Sequence, residues 1–353
     1  MSLLVLGSIA LDTIKTPFEE HAEILGGSAS YAAVSASFFT TPYLVGIVGD
    51  DFPKEHIALF EERNIDLAGL QIVPGKTFRW SGEYHYDMNN RDTRSTDLNV
   101  FECFTPTLPE AYRKAEFVLL GNIAPDLQIH VLDQLEAPRF IVADTMNLWI
   151  NIARPRLMDL LGRIDMLLLN DSEAREITGE TSLIKAGRRL REMGPAYVAI
   201  KKGEHGCLLF GEGKFFSCPA FPLEDIHDPT GAGDAFAGGL AGYLAKRDGA
   251  QNLSSQSTGA ANKSVAPVLA PSSINDTLSR CAPSAPCSSS ASATLKTGSK
   301  ESEIEFKHLC QAVVYGSVMA SFSVEAFSVG RLRTVTSEQI QERFETFQHL
   351  SAF

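Results

Sequence analysis

Residues 228–240 read DPTGAGDAFAGGL, and in this stretch two acids flank a turn built from small residues. Gly231, Ala232 and Gly233 leave their backbone N–H groups uncovered, and the apolar spacing that follows is typical of a helix. If the helix begins near Gly233, those N–H groups and the positive end of the helix dipole form a site for an anion. Asp234 would lie in the first turn, where its carboxylate can accept a proton from an attacking hydroxyl. The pattern indicates an anion hole beside a general base, which suits phosphoryl transfer.

Four other segments carry residues that could bind a substrate or a metal ion. Asp12 follows the first apolar run, 26–28 reads GGS before a helical pattern, 170–173 reads NDSE and 201–206 reads KKGEHG. Each has an ordinary structural explanation when taken alone, because acids cap helices and paired glycines are common in turns. The stretch 228–240 has one too, since glycines can serve tight packing at the start of a helix. The order of all five segments along the chain is what favours a catalytic interpretation.

Together these segments resemble the signatures of the PfkB, or ribokinase-like, family of carbohydrate and nucleoside kinases. The string DPTGAGDAFAGG resembles the C-terminal signature, and GGSASYAAVSASFF at 26–39 resembles the N-terminal one. The resemblance covers essentially the whole chain outside 248–302, and it implies that Asp234 is the catalytic base. The other roles that it implies are the anion hole for Gly231, Ala232 and Gly233, acceptor binding for Asp12, Gly26, Gly27 and Ser28, nucleotide binding for Thr230, Lys201, Gly203, Gly206 and Asn170, and organisation of Mg²⁺, through water, for Asn170 and Glu173.

The resemblance also implies cofactors and partners. ATP would donate the phosphoryl group and Mg²⁺ would accompany it, while a requirement for a monovalent cation stays open. The expected partner is a small-molecule substrate, and two copies of the chain could form a homodimer through a lid. The formal charge of −12 argues against a nucleic-acid-binding surface. No apolar run reaches about 18 residues, so a membrane span is not expected. The N-terminus lacks a basic region, and the six cysteines show no CxxC pair, so we expect a cytoplasmic protein with reduced thiols.

Other classes of protein fit the motifs less well. The sequence GKT at 75–77 resembles the end of a Walker A loop, but position 70 is Leu70 and no strand-to-helix context surrounds it. A dinucleotide-binding enzyme would need G-x-G-x-x-G after the first strand, where a single glycine stands, and no G-x-S-x-G elbow indicates a hydrolase. A sugar or nucleotide sensor without catalysis is the non-enzymatic alternative, and the unbroken GAGD string argues against it.

Short apolar runs with the character of buried strands alternate with helical patterns. Strands are predicted at 3–9, 42–49, 117–123, 140–145, 165–171 and 197–203, and helices at 28–39, 53–64, 126–135, 172–178, 182–193, 234–246 and 304–322. This alternation predicts an α/β fold with a mostly parallel central sheet covered by helices on both faces, the three-layer architecture that the resemblance also implies. Polar strand ends such as Asp144 and Asn170 would then share one rim, where open α/β sheets bind ligands.

Two segments depart from this alternation. Residues 70–104 alternate aromatic and polar residues, which predicts a small antiparallel β lid that residues 10–20 could join; an edge hairpin on the main sheet is the alternative. Residues 248–302 are rich in Ser, Ala, Thr and Pro, and the absence of aromatic residues from 251 to 300 predicts a disordered low-complexity insertion. The kinase domain would then comprise 1–69, 105–247 and 303–353.

The acceptor is where the resemblance is least informative. Ribokinases have Asn, Lys and Asn where this chain has Ala10, Ser28 and Tyr31, and losing those polar groups argues against ribose. The predicted acceptor is a hydroxyl of a small sugar or sugar-like molecule, with a nucleoside or a cyclitol as the alternative. Two sets of side chains could contact it: aromatic residues that stack on a ring or merely hold the lid in place (Tyr31, Phe78, Trp80, Tyr84, Tyr86), and arginines that pair with a carboxylate or phosphate (Arg79, Arg91, Arg94).

Overall fold

The structure, a computed structural model, describes residues 1–260 and 304–350. Its strands in chain order are β1 (Leu3–Leu6), β2 (Ala10–Lys15), β3 (Glu20–Gly26), β4 (Pro42–Gly49), β5 (Asp66–Val73), β6 (Phe78–Tyr84), β7 (Arg91–Asp97), β8 (Phe117–Leu120), β9 (Phe140–Asp144), β10 (Met166–Asn170), β11 (Tyr197–Lys201), β12 (Cys207–Gly211) and β13 (Lys214–Cys218). Within the described residues they form a nine-stranded sheet in the order β13-β12-β11-β10-β9-β8-β1-β4-β5 and a four-stranded sheet in the order β3-β2-β6-β7.

The large sheet is parallel from β11 to β5 and antiparallel only at the β11–β12–β13 edge. Its central strands are apolar on both faces, because a parallel sheet is covered by helices on both sides. In β1, Leu3 and Val5 join one hydrophobic core while Leu4 and Leu6 join the other. The predicted three-layer α/β/α fold with a mostly parallel sheet is confirmed.

Helices cover the two faces of this sheet. They are α1 (Ser28–Ala36), α2 (Lys54–Glu62), α3 (Pro125–Leu132), α4 (Asn147–Ile152), α5 (Arg154–Leu161), α6 (Asp171–Thr178), α7 (Leu183–Glu192), α8 (Ala232–Ala260), α9 (Phe306–Ser323) and α10 (Ser337–Leu350). Helices α1 and α8 approach closely, since a Cβ atom on Gly238 would lie 2.1 Å from the carbonyl oxygen of Ala32. The Ser35 hydroxyl also donates to the carbonyl of Ala235 at 2.6 Å. These contacts fix the start of α8 against α1. Every helix in the described part of the chain is too short or too polar to cross a membrane.

The small sheet is built from two separate parts of the chain. Strands β6 and β7 come from the segment predicted as a lid, and β2 and β3 come from residues 10–26. Two ends of the predicted lid segment belong elsewhere: residues 70–73 continue β5, because Leu70 to Val73 pair with β4, and Asn99–Cys103 form a 3₁₀ helix. We keep the name lid for the four strands of the small sheet.

Helix α8 extends beyond the predicted start of the insertion at 248. It continues to Ala260, and Asp248 within it is buried, with its carboxylate paired to Arg139 at 3.0 Å. The rest of the predicted insertion, 261–302, lies outside the described residues.

Candidate active site

The turn before α8 can be occupied only by small residues. Gly231 has φ of +74°, a region that favours glycine, and a Cβ atom there would lie 2.4 Å from ring atoms of Tyr31. The turn closes when the Ala235 N–H donates to the Gly231 carbonyl at 2.7 Å, which begins the helix. A Cβ atom on Gly233 would lie 3.1 Å from Nζ of Lys201, so a larger residue would push this ammonium group away.

The turn carries backbone donors close to the Lys201 ammonium group. The Ala232 N–H is engaged by the Pro229 carbonyl at 3.3 Å, a long hydrogen bond. In the part of the chain that the structure describes, no backbone acceptor bonds the N–H groups of Gly231 and Gly233. Unpaired donors at a helix N-terminus attract anions.

Asp228 and Thr230 hold the turn from the other side. The Asp228 carboxylate is buried and accepts from the N–H of Thr230 at 2.9 Å and from the N–H of Ser328 at 3.2 Å. The Thr230 hydroxyl donates to the hydroxyl of Tyr84 at 3.0 Å, which links the turn to β6 of the lid.

Asp234 is half-buried in the first turn of α8, where burial raises its pKa to about 7. Asp144 raises this pKa further, whereas Lys201 and Arg91 lower it. A carboxyl group with a pKa near neutrality is suited to accept a proton from a hydroxyl group, because a general base is most effective near the working pH.

The ends of three parallel strands bring polar side chains to the same edge of the sheet. Asn170 and Lys201 are register partners at the ends of β10 and β11, and Asp144 ends β9 beside them. Nζ of Lys201 lies 2.5 Å from Oδ2 of Asp144, and both groups are largely buried. Burial lowers the pKa of Lys201, but Asp144, Glu173 and Asp234 more than offset this and raise it above its ordinary value. The ammonium group therefore stays charged in the site.

Asn170 and Glu173 form a capping box at the start of α6. The Glu173 N–H donates to Oδ1 of Asn170 at 2.8 Å, and the Asn170 N–H donates to Oε2 of Glu173 at 2.7 Å. Burial raises the pKa of Glu173 to about 7, and the nearby Asp144 raises it further. Within 1–260 and 304–350, no cluster of three or more His, Cys, Asp or Glu residues could enclose a metal ion. The oxygen atoms here suit Mg²⁺, which keeps several waters, better than a metal held by protein ligands alone.

Asp12 lies in β2, on the opposite side of the site, and is buried. Gly26 makes room for it, since a Cβ atom there would lie 1.9 Å from Oδ2 of Asp12. The N–H of Gly27, the residue before α1, bonds the carboxylate. Oδ1 of Asp12 is buried without a hydrogen-bond partner among the described residues. Burial and then Asp228 raise the pKa of Asp12 to about 8, as expected for an acid whose partner is absent.

Ser28 begins α1 and is hydrogen-bonded to Ser8. Its hydroxyl accepts from the N–H of Ser8 at 3.1 Å and lies 3.3 Å from the Ser8 hydroxyl, while its own N–H donates to Oγ of Ser8 at 3.1 Å. Because Ser8 follows β1, this pair anchors the start of α1. Acceptor binding by Ser28 stays a prediction.

The loop after β11 has two glycines in the left-handed region. Gly203 has φ of +54° and begins a 3₁₀ turn, and Gly206 has φ of +80°. A Cβ atom on Gly206 would lie 2.0 Å from the Cys218 carbonyl oxygen, so packing against β13 requires this glycine. Nucleotide binding by this loop stays a prediction.

The comparisons with known proteins agree with these features. A sequence model described as pfkB family carbohydrate kinase matches residues 12–266, more than half of the chain. The chain belongs to this family.

Known pfkB family and ribokinase-like proteins resemble this kinase in sequence and fold. The cytidine kinase of Thermococcus kodakarensis is 34% identical to it over 250 residues, which cover 69% of this chain and 88% of that enzyme. The structure of a Burkholderia thailandensis nucleoside kinase in complex with inosine matches with a TM-score of 0.64 and 17% identity, over 98% of this chain and 96% of that one. The Arabidopsis thaliana ribokinase complexed with ribose and ATP matches with a TM-score of 0.65 and 17% identity, over 97% and 98%.

The pfkB family kinase is therefore a phosphotransferase with an alcohol group as acceptor, and the predicted family and enzyme class are confirmed. Its relatives are sugar and nucleoside kinases, and ATP binding follows from the family. The predicted homodimer through the lid stays a prediction.

The aromatic residues of the kinase's lid divide into two groups. Tyr84 is buried beside Thr230, and Trp80 is half-buried on the same face of β6. Phe78 stacks on Phe101 at 5.5 Å between ring centroids, so it holds the lid to the main domain. Tyr86 is 83% exposed, and its contact with the acceptor stays a prediction.

Two residues of the kinase's site were not predicted as site residues. Asp144 was recognised only as a polar strand end, although an acid directly after the apolar run FIVA was the available signal. Asp228 precedes Pro229 and was interpreted as part of the motif without a role, because its partner Ser328 is far away in the sequence.

Proposed function

We propose that this kinase transfers the γ-phosphoryl group of ATP to a sugar hydroxyl of a nucleoside. The observation that carries the proposal is the register of β2 and β6, in which Asp12 and Trp80 are direct partners. A hydroxyl-binding acid and a flat aromatic surface thus stand side by side. The Trp80 indole lies over Gly82, where a Cβ atom would meet it at 2.1 Å, and its Nε1–H donates to Thr93 at 3.3 Å. These two contacts hold the indole ring against the small sheet, where its other face could stack on a planar group.

Two of the relatives described above support a nucleoside as acceptor. The cytidine kinase of T. kodakarensis has the highest identity among the relatives described above, and the B. thailandensis kinase binds inosine. A nucleoside offers a ribose for Asp12 and a planar base for Trp80, so one molecule can use both groups. We keep a sugar or a cyclitol as outcomes of the test.

The acceptor hydroxyl would face Asp234. The unpartnered Oδ1 of Asp12 accepts a hydrogen bond from one acceptor hydroxyl, which holds the sugar while a second hydroxyl donates its proton to Asp234. The Tyr31 hydroxyl is also buried without a partner among the described residues, and it offers a second polar contact in the same region. Loss of the proton to Asp234 creates the nucleophile that attacks the γ-phosphorus, while the bond from this phosphorus to the β–γ bridging oxygen breaks and ADP leaves.

The donor side would bind the phosphates. The N–H groups of Gly231 and Gly233, with the Lys201 ammonium group beside them, stabilise negative charge on the phosphoryl group during transfer. Asn170 and Glu173 would hold Mg²⁺ through water, and the ion would neutralise charge on the nucleotide phosphates. Burial and then Asp144 raise the pKa of Glu173, so a cation nearby would stabilise its ionised form.

A substrate panel tests the proposal. The full chain is incubated with ATP and Mg²⁺ and with cytidine, uridine, adenosine, inosine, ribose, fructose or myo-inositol, and ADP release and product mass are measured. We expect a phosphorylated nucleoside as the main product, and D234N serves as the inactive control. Faster turnover of a free sugar or of inositol would make that compound, and not a nucleoside, the acceptor. Binding without phosphorylation of any compound would indicate a sensor.

A pair of lid variants tests the stacking platform. Trp80→Leu should raise the KM for the nucleoside about ten-fold or more, because stacking on an aromatic ring contributes roughly 1–3 kcal/mol per base. Tyr86→Leu removes an equally large lid aromatic that is 83% exposed, and it should leave this KM near the wild-type value. An equal effect of both substitutions would place the base away from Trp80.

A further inference from the structure

A cavity lies between α7 and the hairpin of β12 and β13, at the edge of the large sheet. Its volume is about 190 Å³, and it is lined by Arg188, Arg191, Phe210, Gly213, Lys214 and Phe215. The helix and the strand pack closely there, since a Cβ atom on Gly187 of α7 would lie 2.4 Å from the ring of the buried Phe210. We call this cavity the basic pocket.

The basic pocket is at the end of β11 and β12 that is remote from the active site. Lys201, whose ammonium group lies in the active site, is the register partner of Cys207 at one end of β12. Gly211 ends this strand beside the pocket, and the strand between them is about 13 Å long. At the pocket end the Tyr197 hydroxyl donates to Oε1 of Glu212 at 3.1 Å. A small ligand in the pocket would therefore not touch the catalytic turn.

Two arginines of α7 supply the positive charge of the pocket. Arg188 and Arg191 are three residues apart, so their side chains share one face of the helix. In α5, by contrast, Arg156 pairs with Asp126 at 2.6 Å. No carboxylate in the described residues lies at ion-pair distance from Arg188 or Arg191. Arg191 donates its Nε–H to the carbonyl of Ala196 at 2.7 Å, and this contact leaves its two terminal NH₂ groups for a ligand.

Lys214 contributes less to the pocket than the two arginines. Its Nζ lies 3.6 Å from Oε2 of Glu212 and 5.9 Å from the centroid of the Phe306 ring. Phe306 packs on the core at one face of the large sheet, whereas Phe210 belongs to the core at the other face. The ammonium group of Lys214 is therefore directed away from the arginines, and Glu212 balances its charge.

One wall of the pocket is an exposed aromatic ring. Phe215 is 56% exposed, and its ring centroid lies 6.3 Å from that of Phe210, with 27° between the ring planes. Stacking on a buried ring holds Phe215 in place. An exposed ring beside two unpaired guanidinium groups offers one ligand both an apolar contact and an anion contact.

We propose that the basic pocket is a second ligand site, which binds a phosphate monoester that carries a flat ring. The phosphate group has a charge of roughly −2, which matches two guanidinium groups better than the single charge of a carboxylate does. The guanidinium forks of Arg188 and Arg191 bind the phosphate oxygens, and the ring stacks on Phe215.

The size of the pocket limits what it holds. Its volume of about 190 Å³ is below the roughly 300–1,000 Å³ of pockets that enclose a whole drug-sized ligand. The pocket therefore takes the phosphate and the ring, and the rest of a larger molecule extends into solvent. Nucleotides belong to this chemical class, but the proposal does not depend on the proposed function, because the pocket shares no residue with the active site.

NMR titration of the full chain with phenyl phosphate tests the proposal, with inorganic phosphate and phenol as probes of the anion and of the ring alone. Arg188→Met removes one anion contact, and Phe215→Ala removes the ring contact. Arg189→Met is the matched control, because it removes the same charge from an exposed position of α7 outside the pocket. Lys201→Met shows whether the probes bind at the active site instead. Melting temperatures check that each variant is folded.

We expect phenyl phosphate to bind about ten-fold more tightly than inorganic phosphate, since stacking adds to the charged contacts. Arg188→Met should weaken both probes about ten-fold, and Phe215→Ala should weaken phenyl phosphate alone. Arg189→Met and Lys201→Met should leave both dissociation constants within about two-fold of wild type.

Three results would overturn the proposal. Equal losses in Arg188→Met and Arg189→Met would mean that the probes respond only to the overall charge of α7. A loss in Lys201→Met would place the probes in the active site, and unchanged binding in Phe215→Ala would remove the ring contact. If wild type phosphorylates no nucleoside, the proposed function fails, whereas these titrations still test the basic pocket.

Discussion

The ammonium group of Lys201 lies 2.5 Å from Oδ2 of Asp144 and at the same time packs against Gly233 of the catalytic turn. This arrangement joins the edge of the large sheet to the N-terminus of α8. Two groups of opposite charge therefore act on Asp234 from one place, since Asp144 raises its pKa and Lys201 lowers it. The predictions below follow from this balance and from the packing around it.

Replacing Asp234 by Asn should remove the general base and keep the fold. The expected decrease in kcat is about 10²- to 10⁴-fold, the usual contribution of a positioned acid or base. Initial rates with the best acceptor measure the decrease in kcat, and the melting temperature measures whether the fold is kept. Near-normal turnover of a folded variant would show that another group takes the proton.

The pH profile of kcat/KM should have an acid limb near pH 7, because Asp234 must be deprotonated to act and burial raises its pKa to about 7. Removing the Lys201 charge with Lys201→Met takes away a group that lowers this pKa, so the limb should move to higher pH. Asp144→Asn removes a group that raises it, so the limb should move to lower pH. Arg91, the third charge acting on Asp234, stays unchanged in both variants. Shifts in the same direction would contradict the assignment of the limb to Asp234.

Gly231→Ala should destabilise the protein more than backbone strain alone explains. Gly231 has φ of +74° and its Cβ would overlap Tyr31, whereas Gly179 has φ of +73° and a Cβ there would meet nothing within 4 Å. Gly179→Ala therefore measures strain alone, about 1 kcal/mol, and Gly231→Ala adds a steric overlap of roughly 1–3 kcal/mol. Urea unfolding of both variants gives the difference between their free energies of unfolding. Equal decreases would show that the Tyr31 side chain moves aside without destabilising the protein.

Asp12→Asn should raise stability at alkaline pH. The pKa of Asp12 is about 8 in the folded chain and near 4 when unfolded, so the folded state binds this proton more tightly. The stability that the protonated group contributes is complete below about pH 4 and is lost as pH rises through about 8.

The gain from Asp12→Asn should thus grow by about 4 kcal/mol between pH 5 and pH 9. The exposed Asp225, replaced by Asn, is the matched control and should show no such growth. Urea unfolding at several pH values measures this gain, and a gain that does not depend on pH would contradict a buried carboxyl group with one unpaired oxygen. The acceptor KM of Asp12→Asn should rise, because the group that binds the hydroxyl is weakened.

The sequence predicted most of the large sheet and the segments that surround the site. Runs such as MLLLN become parallel strands because a parallel sheet is covered on both faces, so that successive apolar side chains are all buried. Glycines with positive φ, such as Gly231, could be expected from the turn. The need for glycine at position 26 could not be predicted. A Cβ atom there would overlap Asp12, and this closeness depends on how β2 and β3 pair.

The orientation of the lid arginines was also beyond the sequence. Alternation assigns faces only while pairing is regular, and the register of β6 with β7 shifts between Ser81 and Gly82. Which of Arg91 and Arg94 faces inward therefore depends on the position of this irregularity. Likewise, the ion pair between Asp248 of α8 and Arg139 joins residues that are distant in the sequence, so the sequence did not predict it.

The small sheet has a consequence for how acceptor preference changes between related kinases. Asp12 and Trp80 both belong to its strands, while Asp234 and the glycines of the turn belong to α8. Under the proposed function, the chemistry and the choice of acceptor are encoded in separate pieces of chain. Grafting β2, β3, β6 and β7 from a relative with another acceptor should transfer that preference and leave the phosphoryl-transfer step in place. New acceptor specificities can then arise by exchange of the small sheet, without changes in α8.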